Sequence, residues 1–371
     1  MLRAGNGNVS TAQDPDDIHC RIIVLGATGA VGRHVCAAVR AAGGELLRVA
    51  RRPGPAPGAG RFFPMDLIGE GPDGLARLID AERPHAVVNA AGAAWLCSPE
   101  VMWQANHVLV DKVLAAMAAA SWRPRLVHVG SVHEYTPQPP GIALDERTPT
   151  RPTTLYGQTK LRGTEAVRTA AAAGQVAAVV LRVSNMIGAG TSPGSLLGRV
   201  AAQLRAVETD REAIVRLSPL RASRDFVDAR DAADAVLAAA ALPLGNELIN
   251  VGRGEAVPVR TMVEQLIAVS GRRARIVEEA APGARVAAGT DWMRVETAMA
   301  RRLLHWNVRH SIDSSARDLW EATAPEAEPS PPDQPAAAAP ASSRPETADD
   351  PPCGGSTSSW PPPIRPVPQP E

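Results

Sequence analysis

Residues 21–32 constrain this chain more than any other stretch. Four apolar residues, Ile-Ile-Val-Leu at 22–25, run without a break into Gly26-Ala-Thr-Gly29-Ala-Val-Gly32. A short apolar run bounded by glycine reads as a strand buried on both faces, as in parallel sheets. Residues 31–42 then read as a helix that stops at Gly43-Gly44. A strand, a glycine turn and a helix in that order leave the helix's first N–H groups free, beside a partial positive charge. Glycine lets backbone approach an anion closely. The turn is therefore expected to cradle the pyrophosphate of a dinucleotide through Gly26, Thr28, Gly29, Ala30, Val31 and Gly32. The spacing is Gly-x-x-Gly-x-x-Gly, not the Gly-x-Gly-x-x-Gly of the general fingerprint. A glycine turn with no ligand is the competing reading.

The pattern repeats downstream. Strands are expected at 46–50, 86–89, 125–129 and 176–183, with helices around 75–82, 100–120 and 154–173 between them. Strands alternating with helices imply a parallel sheet with right-handed crossovers. The second strand ends Val49-Ala50-Arg51-Arg52 with no carboxylate to hold a ribose 2′-hydroxyl. Two guanidiniums suit a 2′-phosphate, so NADP(H) is favoured and NAD(H) stays open. Arginine is abundant throughout, and the alternative is that Arg51 and Arg52 are simply solvated.

The chain has only two lysines, Lys112 and Lys160, and only two tyrosines, Tyr135 and Tyr156, yet Lys160 follows Tyr156 by four residues. On a helix those positions share a face. A free phenol has a pKa of about 10. A cation within ~5 Å at an effective dielectric of ~20 is worth about 3 kcal/mol, so Lys160 is expected to lower the Tyr156 pKa toward neutrality.

Beyond residue 186 the alternation breaks down. A helix is expected at 196–207, short strands at 247–251 and 275–277, and helices at 259–270 and 313–322. These suggest a smaller mixed lobe with some chain returning to the sheet. The expected organisation is a flexible arm at 1–19, a dinucleotide-binding domain at 20–185, a substrate lobe at 186–323 and a disordered tail at 324–371. That tail holds 15 of the 34 prolines and cannot bury enough apolar surface to offset its ordering entropy. Its Trp360 reads as solvated. Net charge is zero, which gives no electrostatic support to nucleic-acid binding. No apolar run reaches the ~20 residues of a membrane span. No signal-peptide pattern opens the chain and no metal-like spacing links Cys20, Cys36, Cys97 and Cys353, so no metal is expected and the reading is reduced thiols in a cytoplasmic protein.

Taken together these motifs resemble the extended short-chain dehydrogenase/reductases, in the nucleotide-sugar branch of the NAD-dependent epimerase/dehydratase family, over about residues 20–322. Besides the glycine turn, Asp66-Leu67 resembles the adenine-contacting pair, and Asn89-Ala90-Ala91-Gly92 the segment lining the cofactor. Asn106 falls where the family has an asparagine that supports the site. Val127-His-Val-Gly-Ser131 resembles the strand carrying the catalytic hydroxyl, and Tyr156-Gly-Gln-Thr-Lys160 is the Tyr-x-x-x-Lys element. Asn185 and Arg224 match the positions that meet the sugar and its diphosphate. Leu303-Leu-His-Trp306 resembles a Leu-Gly-Trp motif with His305 in place of glycine.

The resemblance implies a Rossmann-type doubly wound α/β fold and three catalytic residues. Tyr156 is the general acid, Ser131 orients the reacting oxygen, and Lys160 holds the nicotinamide ribose. It also implies a homodimer through the helices at 100–120 and 154–173. Dehydratases commonly carry Asp-Glu after the catalytic hydroxyl, where this chain has Val132 and His133. With Arg51-Arg52, this favours a 4-ketoreductase of a keto-deoxysugar, by analogy dTDP-linked. The alternatives are a nucleotide-sugar epimerase and, from another class, a non-catalytic dinucleotide-sensing regulator or scaffold. His133 shares a strand face with Ser131 and is a candidate for the substrate pocket, where it could serve as a second acid or base; the alternative is an ordinary polar residue at the strand end. His128 reads as a satisfied core histidine, Glu134 as a solvated loop carboxylate, and Arg182 as a brace. For Arg224 the alternative to binding substrate is an ion pair with Asp225 or Asp228.

Overall fold

Alternation of strand and helix runs through the first half of the chain, and a computed structural model describes it over residues 20–54, 60–94, 96–279 and 291–324. The arm at 1–19, the tail from 325, Trp360 and Cys353 lie outside the described residues. The order is β1 (Arg21–Leu25), α1 (Gly32–Ala41), β2 (Glu45–Ala50), β3 (Arg61–Pro64), α2 (Asp73–Glu82), β4 (Ala86–Asn89), α3 (Pro99–Trp103), α4 (Leu109–Ala119), β5 (Arg125–Ser131), α5 (Leu155–Ala172) and β6 (Ala178–Val183). Then follow β7 (Asn185–Ile187), α6 (Leu196–Arg205), β8 (Ala213–Leu217), β9 (Ser223–Arg224), β10 (Phe226–Asp228), α7 (Ala229–Ala241), β11 (Leu248–Val251), β12 (Val257–Pro258), α8 (Val259–Ser270), β13 (Ala274–Glu278), α9 (Ala298–Leu304) and α10 (Ile312–Ala322).

Seven strands form one parallel sheet in the order β11-β6-β5-β4-β1-β2-β3. This is the Rossmann-type α/β fold. Successive side chains of a strand face opposite sides, and β1 divides accordingly. Ile22 and Val24 pack with α1, α7 and α9 on one face, and Ile23 and Leu25 with α2, α4 and α5 on the other. Both faces are covered, which is why the strands are continuously apolar. The chain passes from β1 to β2 on one side and reaches β4 on the other. The crevice at the carboxyl ends therefore opens where the glycine turn leaves β1.

The later chain adds β11 to the sheet and builds three two-stranded ribbons, β7 with β10, β9 with β12, and β8 with β13. Ile187, Val200, Leu204, Val215, Met262, Leu266 and Trp320 give this part its own core. Strand β3 was not legible, because Phe62 and Phe63 form an edge strand only four residues long whose Pro64 would argue against a strand; an edge tolerates it. The helix expected over 100–120 is interrupted by a π-helical turn, Gln104–Val108, which contains Asn106. His305 ends α9 in the left-handed region (φ 51°), which explains why glycine suits this position.

Candidate active site

Gly26 adopts φ 73°, and a Cβ there would lie 2.7 Å from the Ala91 Cα, so the turn packs directly on the Ala90–Gly92 segment. A Cβ on Gly32 would come within 2.1 Å of the Gly26 carbonyl oxygen; the helix can start this close to the strand only with glycine there. Gly29 and Ala30 stay exposed at the tip, and the N-cap, Val31, provides no side-chain acceptor for the first N–H groups of α1. The N–H groups of Gly26, Ala27, Gly29, Arg33 and His34 donate to backbone carbonyls, whereas among the described residues those of Thr28, Ala30, Val31 and Gly32 have no acceptor, which leaves donors at a helix start of the kind a pyrophosphate requires. The residues present therefore fit a dinucleotide. Arg51 and Arg52 are exposed just beyond β2, and the next turn brings Gly54 against Thr28. Asp66 Oδ1 accepts from the N–H groups of Ile68 and Gly69, which fixes the turn after β3, and Leu67 is buried beside it.

Asn106 does something different from touching a cofactor. Its Oδ1 accepts from Ala93 N at 2.9 Å, and its Nδ2 donates to Ala93 O and to Thr159 Oγ1. Every polar atom of the amide is used within the protein. Asn106 thus ties the cofactor-lining segment to α5 and positions rather than binds.

Ser131 ends β5, and Tyr156 and Lys160 stand on the first turns of α5, whose N-cap Thr154 accepts from Gly157 N. The three converge at the carboxyl edge of the sheet. Lys160 is buried, and its Nζ donates to Val129 O at 2.6 Å. Burial lowers the Lys160 pKa, opposed by the Glu134 carboxylate. The expectation that Lys160 acidifies Tyr156 is corrected. Burial pushes the phenol up from its ordinary value, the Ser131 hydroxyl pulls the other way, and Glu134 raises it further. Tyr156 is a held proton at neutral pH, which suits an acid.

Glu134 is the residue that sequence reasoning missed. It is fully buried, not solvated. Its Oε1 accepts from Ser131 N at 2.7 Å and Thr164 Oγ1 at 3.0 Å, and its Oε2 pairs with Arg182 Nε at 2.7 Å. Ser131 and Glu134 form a capping box around a single 3-10 turn. The Ser-x-x-Glu spacing was available as a signal. Arg182 does brace the site, stacking over the Tyr135 ring at 4.3 Å while Tyr135 OH donates to Asn250. His128 is buried and its Nδ1 contacts Asn89, but its Nε2 has no partner, so it is only half satisfied.

On the substrate side, the His133 ring meets the Tyr156 ring edge-on at 5.7 Å, and its Nε2 lies 3.1 Å from Asn185 Oδ1. Asn185 Nδ2 donates to Asp225 O at 2.9 Å, so both ends of this amide are held within the protein. Neither alternative partner claims Arg224. Asp225 accepts from the N–H groups of Arg253, Gly254 and Val295, and Asp228 pairs with Arg230. Among the described residues Arg224 forms no ion pair within 4.0 Å; its Nη1 donates to Ser223 O, and burial lowers its pKa against the opposing effect of the Asp291 carboxylate. A half-buried guanidinium left this way favours an anion from outside the chain.

Comparison with known proteins agrees with this fold. Residues 22–252 match the model of the NAD dependent epimerase/dehydratase family. The chain is 43% identical over 314 residues to the dTDP-6-deoxy-L-talose 4-dehydrogenase (NAD(P)(+)) of Kitasatospora kifunensis, covering 84% of this chain and 98% of that one. It is 31% identical over 236 residues to a UDP-glucose 4-epimerase of Streptomyces lividans, covering 60% and 69%. The fold superposes on the structure of MoeE5 in complex with UDP-glucuronic acid and NAD with a TM-score of 0.71 at 22% identity, covering 82% of this chain and 98% of that chain.

Proposed function

Starting from the fact that this chain belongs to the NAD dependent epimerase/dehydratase family, we propose that it reduces a keto group at C4 of a dTDP-linked deoxysugar with NADPH. It is an NAD(P)-dependent oxidoreductase; the sugar, the nucleotide and the preference for NADPH are the proposal. The observation that carries it is the likeness, over nearly the whole length, to a dTDP-6-deoxy-L-talose 4-dehydrogenase, an oxidation at C4 whose reverse is this reduction. The site supports the same direction.

A bound nicotinamide dinucleotide would supply the hydride. Thr28, Ala30, Val31 and Gly32 would offer N–H groups to its pyrophosphate over the close turn that Gly26 and Gly29 make, Arg51 and Arg52 would receive a 2′-phosphate, and Ala90, Ala91 and Gly92 would line it. Tyr156 gives its proton to the carbonyl oxygen as negative charge develops there. Because burial keeps that proton on the phenol, no prior deprotonation is needed in the reductive direction. Ser131 hydrogen-bonds the same oxygen, and Glu134 fixes the Ser131 backbone in register. Lys160, fastened to Val129 O, would hold the nicotinamide ribose. Arg224 meets the diphosphate, and His133 and Asn185 border the sugar.

We extend the proposal to a cytoplasmic homodimer. Exposed Val101 and Trp103 on α3 and Leu155 at the start of α5 give those helices an apolar surface for a second copy. Cys20, Cys36 and Cys97 are free thiols, as in a reducing compartment. Among the described residues no helix is long and apolar enough to cross a membrane.

The test is stoichiometric. Purified protein is incubated with NADPH and a panel of nucleotide 4-keto-sugars while cofactor absorbance is followed. One NADPH consumed per product supports reduction. Isomerisation with no net change in cofactor replaces the proposal with an epimerase.

A further inference from the structure

His133 has one ring nitrogen held by the protein and one left over, and the hydrogen-bond network decides which of the two carries the proton. Asn185 Nδ2 lies 2.9 Å from the Asp225 carbonyl oxygen, which can only accept. That contact requires the amide nitrogen, so the amide cannot be flipped, and Oδ1 must face His133. Oδ1 can also only accept, so the imidazole nitrogen 3.1 Å away, Nε2, must bear the hydrogen. A neutral imidazole carries one proton, so Nδ1 presents a bare lone pair. Burial and the neighbouring Arg224 both disfavour a second proton on the ring. Among the described residues nothing donates to Nδ1, and it is not one of the fully enclosed atoms that lack a partner. It therefore keeps some solvent access, on a ring that meets the Tyr156 ring edge-on.

We propose that His133 is a specificity-determining residue whose Nδ1, fixed as an acceptor by Asn185 and Asp225 O, takes a hydrogen bond from the sugar hydroxyl on the carbon next to the reacting carbonyl. This deepens the reductase reading and rests on it. In that reading Tyr156 and Ser131 hold the reacting oxygen, and the edge-on contact of the His133 ring with Tyr156 sets the imidazole next to the acid, so a substituent on the neighbouring carbon is the group we assign to Nδ1. The ring does not supply the reaction's proton, because its only N–H is spent on Asn185. A sugar lacking that hydroxyl leaves Nδ1 facing carbon, and an acceptor buried without a donor is penalised. A sugar carrying it is selected by roughly ten- to a hundredfold in kcat/KM.

The experiment has a kinetic and a spectroscopic arm, both on the full chain. In the first, wild type, His133→Asn and His133→Gln are compared on a pair of nucleotide 4-keto-sugars that carry or lack the flanking hydroxyl. Asparagine places an acceptor where Nδ1 stood; glutamine keeps the donor to Asn185 and loses that acceptor. The expected result is preserved discrimination in His133→Asn and a drop toward unity in His133→Gln. Packing against Tyr156 is lost in both variants, so equal effects would reduce His133 to a filler and overturn the inference while leaving the reductase reading intact. If wild type reduces no keto-sugar, the reductase reading falls and the substrate role falls with it. In the second arm, imidazole nitrogen–proton correlation spectra of 15N-histidine-labelled protein, with His133 assigned through His133→Asn, are expected to show the proton on Nε2. A proton on Nδ1 overturns the inference without any turnover being measured.

Discussion

Replacing Glu134 by glutamine keeps the shape of the side chain and removes its charge. The carboxylate is fully buried, its Oε2 lies 2.7 Å from Arg182 Nε, and Arg182 is itself 2% exposed. Two unit charges about 4 Å apart at an effective dielectric of ~20 attract by about 4 kcal/mol. The amide leaves Arg182 buried without a counter-charge, and breaking such a pair from one side costs about 3–5 kcal/mol. A domain of this kind is stable by about 5–15 kcal/mol, so Glu134→Gln is expected to fold with a strongly lowered denaturation midpoint. Arg182→Met should cost a similar amount, because it strands the carboxylate. The double variant removes both charges and should lose at least about 2 kcal/mol less than the sum of the two. Urea unfolding followed by tryptophan fluorescence gives all three values. Single losses below about 1 kcal/mol, or additivity within about 0.5 kcal/mol, would refute the claim that this pair is what fixes Ser131. Glu134→Gln should also lower kcat more than it raises KM, since Ser131 N keeps an acceptor but in a displaced turn.

Tyr156→Phe is expected to lower kcat at least a hundredfold with little change in KM for NADPH, measured by initial rates; unchanged turnover would remove the acid from the mechanism. Because burial raises the phenol's pKa, the reductive rate should show no loss from Tyr156 ionisation up to about pH 10, while the reverse oxidation should still be rising there. His305→Gly relieves a left-handed backbone at φ 51° and should stabilise the protein by up to about 1 kcal/mol, read as a higher thermal midpoint. His128 and His133 both have lowered pKa values, chiefly from burial. The unfolded chain, titrating near 6.5, therefore binds more protons, and stability present above that pH is lost as pH falls toward the lowered values. Asp225, pushed up to about 6 by burial, acts oppositely below that pH, so urea titrations should show the clearest decline just under pH 6.5. Replacing Arg51 and Arg52 together by alanine should raise KM for NADPH about tenfold or more and leave KM for NADH unchanged; equal effects on both would assign no 2′-phosphate to them.

The parallel sheet, the glycine turn after β1 and the Tyr156–Lys160 helix were legible because each depends on neighbours in the chain. Apolar runs, glycine spacing and i,i+4 periodicity are local, and the boundaries of α8 were read without error. Tyr156 and Lys160 were legible as a pair sharing a helix face for the same reason, and the structure sets both on α5 as expected; Ser131 was marked only by the family resemblance, and it ends β5. The site was misread where charge and burial are set by distant elements. Glu134 looks like a loop carboxylate until the pairing of β5 with β6 places Gly130 opposite Arg182 and brings that guanidinium onto it. Asn106 was expected to support the site, but how it does so is not local: a π-helical turn aims it at Ala93 and Thr159.

Local sequence specified the alternating strands and helices of the first half apart from β3, the glycine turn at Gly26–Gly32 and the helix that carries Tyr156 and Lys160, because short-range sterics and hydrogen bonding fix such elements. Only the assembled interior sets what surrounds them: a phenol whose pKa burial raises, a carboxylate paired with Arg182, and a histidine whose Nε2 meets Asn185 Oδ1. Desolvation and the identity of a contacting partner are properties of an assembled interior, and residues 48 to 52 positions apart meet only once the sheet has formed.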